Sequence, residues 1–121
     1  MKIAVTATGK SLDEQVDQRF GRCRWFLIVD TDSLDYEAVE NTSAELGGGA
    51  GIQAAQLVSG QEVKYVLTGN CGPNAFRTLQ AAGIKVVTGV RGTVRQAVEQ
   101  FKAGEFSNSS GPNVPGHFGQ K

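Results

Sequence analysis

"KYVLTGNCGPNAFRTLQAAGIKVVTG", residues 64–89, reads as strand, turn, helix, turn, strand. "KYVLT" (64–68) and "KVVT" (85–88) are short apolar runs rich in β-branched residues. "PNAFRTLQAAG" (73–83) starts at a proline, which suits the first helical position, and stops at Gly83. Two strands joined by a helical crossover lie parallel, and the crossover is right-handed. The turns "TGNCGP" (68–73) and "TGVRGT" (88–93) therefore sit at one edge of a sheet.

The rest of the chain extends this unit. "KIAVTA" (2–7), "WFLIVD" (25–30) and "YEAVEN" (36–41) read as three further strands, the last a half-exposed edge. "GIQAAQLVSG" (51–60) and "TVRQAVEQFKAG" (93–104) read as helices, the second with Val94, Ala97, Val98 and Phe101 on one face. All three helices run into a glycine, so a left-handed C-terminal cap is expected at Gly60, Gly83 and Gly104. The order is β-β-β-α-β-α-β-α. No helix separates the first three strands, which predicts an antiparallel meander within an α/β fold, a mixed five-stranded sheet flanked by helices. With the first strand parallel to the fourth and fifth, four strands end on one rim and the second begins there.

Residues 1–106 are read as one domain and the Ser-, Asn-, Gly- and Pro-rich stretch 107–121 as a flexible C-terminal tail. Twelve basic residues offset twelve acidic ones, which argues against a nucleic-acid or membrane-surface binder. No apolar run approaches the roughly 20 residues that span a bilayer, and the start reads directly as a strand, so a cytoplasmic location is expected. A monomer is expected.

Most loop glycines fall on the one rim, with Arg19, Arg22, Arg24, Arg91, Cys23 and Cys71. Ligands of open α/β sheets bind at the carboxyl ends of strands, near a switch in strand order. Three helix N-termini face this rim, and their N–H groups and dipoles favour an anion. Cys23 and Cys71 have three readings: small buried hydrophobes, soft-metal ligands, or a mutual disulfide. His117, the only histidine, has two readings: a tail residue with no role, or a ligand that folds over the rim.

"DQRFGRCRWFLIVD" (17–30), "GGGAGIQAAQLV" (47–58) and "VLTGNCGPNAFRTLQAAGIKV" (66–86) together resemble the nitrogenase iron–molybdenum cofactor biosynthesis family, over residues 1 to about 105. The resemblance implies a ribonuclease H-like fold and non-covalent or thiolate-assisted binding of a metal–sulfur cluster. Small stand-alone members outside nitrogen fixation, to which this sequence is most similar, hold a molybdenum–copper sulfide cluster. An iron–sulfur unit or an iron–molybdenum cofactor precursor is the other implied cargo. The match places Arg19, Phe20, Gly21 and Arg22 in the first binding loop, Gly48 and Gly49 in the second, and Gly69, Asn70, Cys71, Gly72 and Pro73 in the third. It also implies a cluster-delivery or acceptor protein as partner.

Two rival readings use the same rim. A nuclease or phosphotransferase needs carboxylates converging on metal ions, yet the first strand has no Asp or Glu and Asp30 closes the second strand at the opposite edge. A metal-free interaction or signalling module that binds a small anion or a protein is the alternative to a non-catalytic cluster carrier.

Overall fold

The computed structural model describes residues 1–44 and 48–106. Its elements are β1 (Lys2–Ala7), β2 (Trp25–Asp30), β3 (Tyr36–Glu40), α1 (Ala50–Ser59), β4 (Tyr65–Leu67), α2 (Pro73–Ala81), β5 (Lys85–Val87) and α3 (Val94–Lys102). The sheet runs β3-β2-β1-β4-β5. β1–β2 and β2–β3 are antiparallel, while β1–β4 and β4–β5 are parallel. This is the expected mixed sheet with the ribonuclease H-like strand order. The carboxyl ends of β1, β3, β4 and β5 share one rim with the start of β2.

Alternation along the strands divides the core into two layers. Ala4, Phe26, Ile28, Val66 and Val86 face one way and pack against Ala54, Ala55 and Val58 of α1 and Ala75, Phe76 and Leu79 of α2. Ile3, Val5, Leu27, Val29, Leu67 and Val87 face the other way, against Val94, Ala97 and Val98 of α3 and against Leu12 and Val16. A period of two in the strands thus forces α1 and α2 onto one face and α3 onto the other.

The long segment between β1 and β2 is the main addition to the sequence reading. It folds back over the rim as a strap. Thr8 N–H donates to the Gln15 carbonyl (3.0 Å), Val16 N–H to Gly92 (2.8 Å), Asp17 N–H to Thr6 (2.9 Å) and Phe20 N–H to Asn70 (3.1 Å). The strap is thereby stitched to β1 and to the loops that follow β4 and β5.

Helix ends differ from expectation in one place. Gly83 and Gly104 adopt left-handed backbone (φ 79° and 76°), as expected. Gly60 does not, with φ −75°; Glu62, two residues on, takes the left-handed turn instead (φ 61°). The expected tail, with His117, lies outside the described residues.

α3 begins with a complete capping box: Thr93 Oγ1 accepts from Gln96 N–H (3.1 Å) and Gln96 Oε1 accepts from Thr93 N–H (3.0 Å). Thr93→Ala removes the cap and is expected to cost about 1 kcal/mol, or about 4 °C in thermal midpoint. Thermal unfolding followed by circular dichroism checks it.

Candidate functional site

The three helix N-termini are not equivalent. At α3, Val94 N–H donates to the Glu14 carbonyl (2.9 Å), Arg95 N–H to Leu12 (2.8 Å) and Ala97 N–H to Thr93 (3.0 Å), and the capping box takes Gln96. That end is closed, contrary to the expectation that three helices offer amides to one ligand. α1 and α2 have no side-chain cap and no acidic residue in the first turn. Among the described residues, the N–H groups of Ala50, Gly51 and Ile52 on α1, and of Asn74 and Ala75 on α2, have no acceptor. The first bonded amides are Gln53, to Gly49 (3.0 Å), and Phe76, to Gly72 (2.9 Å).

These two open ends meet at a cleft of about 190 Å³ lined by Gly21, Gly49, Gly51, Ile52, Gly72, Pro73, Asn74 and Ala75. Its lining holds no carboxylate and no cationic side chain. The open amides of Gly51, Ile52, Asn74 and Ala75, with the positive ends of two helix dipoles, favour an anion there without any ionised side chain. Close approach builds it. A Cβ on Gly21 would lie 3.0 Å from Gly51 Cα and 3.1 Å from Gly51 N, and a Cβ on Gly51 would lie 3.3 Å from Ala75 Cβ. Gly49, at the N-cap of α1, has φ 75°. Gly72 is different: its backbone is extended and an added Cβ would meet nothing within 4 Å. Packing does not demand a glycine there; an open cleft does.

The expected site residues divide into three groups. Gly21, Gly49, Gly72 and Pro73 line the cleft, and Gly48 is exposed one residue before it. Phe20, Cys23 and Cys71 are buried in the core on the α1 and α2 side, and Gly69 lies apart, against Gln18. Phe20 stacks on Phe26 with ring centroids 5.4 Å apart. Gly69 is buried where a Cβ would run into Gln18, 2.7 Å from its Cα. Both cysteines are buried and free of disulfide. The third group is engaged within the loops. Asn70 Nδ2 donates to the Gln18 carbonyl (2.9 Å), Arg22 Nη1 donates to Ala44 (2.9 Å), and Arg19 Nε pairs with Asp17 Oδ1 (3.5 Å). Arg91 lies on the α3 face, with Gln96, Glu99, Gln100 and Glu105, and does not approach the cleft.

Sequence reasoning missed Gly51, Ile52, Asn74 and Ala75, whose backbone is what they contribute. The available signal was the uncapped start of each helix, where no Ser, Thr or Asp precedes Ala50 or Pro73. Among the described residues no three His, Cys, Asp or Glu side chains group to hold a metal ion. The arrangement suits an anion held by amides, not a bare cation held by side chains.

Burial holds both thiols in the neutral form. Cys23, whose Sγ lies 3.2 Å from the Phe20 carbonyl it donates to, is pushed well above its ordinary range by burial and then by the Asp17 charge. Burial pushes Cys71 up to about 12.

The family model for the dinitrogenase iron-molybdenum cofactor matches residues 1–104. Among solved structures, the chain is similar to the apo form of the orange protein from Desulfovibrio gigas: TM-score 0.90, 49% identity, over 93% of this chain and 95% of that one. It is similar to a Thermotoga protein assigned as NifB, with TM-score 0.77 and 39% identity over 88% and 91% of the two chains. A Methanocaldococcus jannaschii protein assigned as a dinitrogenase shares the fold at TM-score 0.69 and 18% identity, over 93% and 97%. Comparison with curated proteins found no match.

The neutral thiols set a pH and reactivity profile. In the unfolded chain the Cys71 thiol ionises near its ordinary 9.0, and in the fold it keeps its proton up to about 12. Its contribution to stability is complete below the first value and is lost as pH climbs toward the second. Urea melts from pH 8 to 11 should show stability falling. At pH 8, iodoacetamide should label native Cys71 and Cys23 on the order of a thousandfold more slowly than the unfolded thiols.

Proposed function

The chain belongs to the dinitrogenase iron-molybdenum cofactor family, and from that premise we propose that it is a non-catalytic carrier of an anionic metal–sulfide cluster seated in the cleft between the N-termini of α1 and α2. The observation that carries the reading is the pair of uncapped helix ends facing one glycine-lined cleft while the third end is closed by the protein itself. Glycine at the N-cap costs a helix only a few tenths of a kcal/mol relative to Ser, Thr, Asp or Asn, so Gly49 and Gly72 leave donors open at little expense to the fold.

The residues present fit a thiometallate better than a hydrated cation. Sulfide ligands are large, soft acceptors of weak hydrogen bonds, and the cleft offers several N–H donors beside the apolar walls of Ile52, Pro73 and Ala75. A molybdenum–copper sulfide cluster is the cargo most in keeping with the likeness to the orange protein; an iron–molybdenum cofactor precursor is the other. The cluster's charge would be balanced by the two helix dipoles and, at longer range, by Arg19 and Arg22. Gly21, Gly49, Gly51, Gly72 and the first turn of α2 hold it. Cys71, just before Gly72, supports the cleft floor as a neutral thiol; Sγ coordination there would first require the thiol to be exposed and deprotonated. Cys23 is the less accessible of the two, and His117 is a candidate to cover the cleft. A carrier of this kind hands its cargo to an acceptor protein and performs no bond-making step.

Purified apoprotein titrated with tetrathiomolybdate and copper(I) and then desalted should retain molybdenum and copper, with new visible charge-transfer bands. Gly72→Val should keep the native fold and thermal midpoint but weaken retention about tenfold or more, overpacking of a fitted cavity costing about 1–3 kcal/mol. Complete loss of metal from the wild type on desalting, with iron–sulfide precursors also lost, favours the metal-free module.

A further inference from the structure

Asn41 follows the last residue of β3 with its side chain turned inward, and it is buried, with 3% exposure. Every polar atom of that side chain is engaged. Nδ2 donates to the Cys23 carbonyl (2.8 Å) and to the Gly21 carbonyl (3.2 Å), and Oδ1 accepts from Ser43 N–H (3.1 Å). The backbone adds Asn41 N–H to the Arg24 carbonyl (2.9 Å) and Ala44 N–H to the Asn41 carbonyl (3.3 Å). One side chain thus joins two segments: the strap, at Gly21 and Cys23, and the chain just after β3, at Ser43.

The strap bears on the cleft. Gly21 lines it and lies against Gly51, one of the residues with an open amide. Arg22 reinforces the same junction through the Ala44 carbonyl (2.9 Å). We infer that Asn41 is a positioning residue: it holds the strap against the first turn of α1 and so sets the spacing of the amide donors that grip the cargo. It never touches the cargo itself. A buried amide with all its hydrogen bonds made acts as a rigid joint, and outer partners of this kind alter ligand affinity through the groups they orient.

The inference rests on the proposed carrier role, and the test separates the two. Asn41→Asp keeps the shape and the acceptor for Ser43 but sets a carboxylate against the Gly21 and Cys23 carbonyls. Val29→Ala, in the α3-side core, destabilises the fold without touching the cleft. The wild type and both variants are loaded with tetrathiomolybdate and copper(I), and cluster loss is timed; amide resonances of Gly21 and Gly51 are recorded on the apoproteins. Asn41→Asp should lose the cluster about tenfold faster or more, with shifted Gly21 and Gly51 resonances, while Val29→Ala keeps both near wild type. Retention by Asn41→Asp equal to the wild type, unmoved Gly21 and Gly51 resonances, or equal loss by Val29→Ala overturns the inference. If the wild type itself retains no cluster, the carrier role fails, and the apoprotein resonances alone decide whether Asn41 sets the cleft. Should Asn41→Asp not fold, Asn41→Ser, smaller and uncharged, is read against the same criteria.

Discussion

The rim is organised by one buried polar junction. Thr6 at the end of β1 donates its hydroxyl to the Asp17 carbonyl (2.6 Å) and lies 2.9 Å from the hydroxyl of Thr68, which follows β4. Asp17 is itself buried, and its Oδ1 accepts from Arg19 N–H (3.0 Å). β1 and β4 are where the strand order reverses, the usual place for a ligand in an open α/β sheet. Here the strap occupies it. The three residues bind one another with no room between them, and an unpaired hydroxyl or carbonyl at this depth would cost about 1–3 kcal/mol. Filling the switch point moves the available opening one layer outward, to the start of α1 and α2.

That displacement explains the asymmetry of the three helices. α3 starts beside the strap, and the strap's own carbonyls at Leu12 and Glu14 satisfy its first amides. α1 and α2 lie on the other face, where Phe20 and Cys23 of the strap are buried in the core and only Gly21, a residue with no side chain to offer, lines the cleft. The same segment therefore closes one helix end and shapes the opening between the other two. Charge follows the same division. Arg91 goes with α3 and its glutamates, while the α1–α2 cleft draws its field from backbone, so that substitution of one side chain leaves most of that field in place.

Much of this was legible in the sequence. The strand–helix–strand unit at 64–89 fixes two parallel strands, and the helix-free stretch before residue 50 fixes the meander. The clustering of glycines at 47–51 and 69–72 pointed to one rim. What could not be read was which rim positions face inward. "RFGRCR" looks like a basic loop, yet Phe20 and Cys23 are core residues and Arg22 is tied to the Ala44 carbonyl. Asn41 looked like the last residue of an exposed strand and is instead a buried joint, because its partners are carbonyls eighteen and twenty residues away in sequence. The open cleft itself is made of backbone amides, which every residue but proline possesses; only a cap that is missing betrays them. The left-handed Glu62, in place of Gly60, shows the same limit at a smaller scale, since turn geometry is set by how α1 must meet β4.

The central claim is that cargo is held by the open amides of α1 and α2. The most direct measurement is a map of amide chemical-shift changes across the ¹⁵N-labelled protein on titration with tetrathiomolybdate and copper(I). The account predicts the largest changes at Gly49 to Ile52 and at Gly72, Asn74 and Ala75, with Val94 to Ala97 unmoved. Changes centred on Arg91 and the start of α3, or spread over the surface with no focus on the cleft, would contradict it.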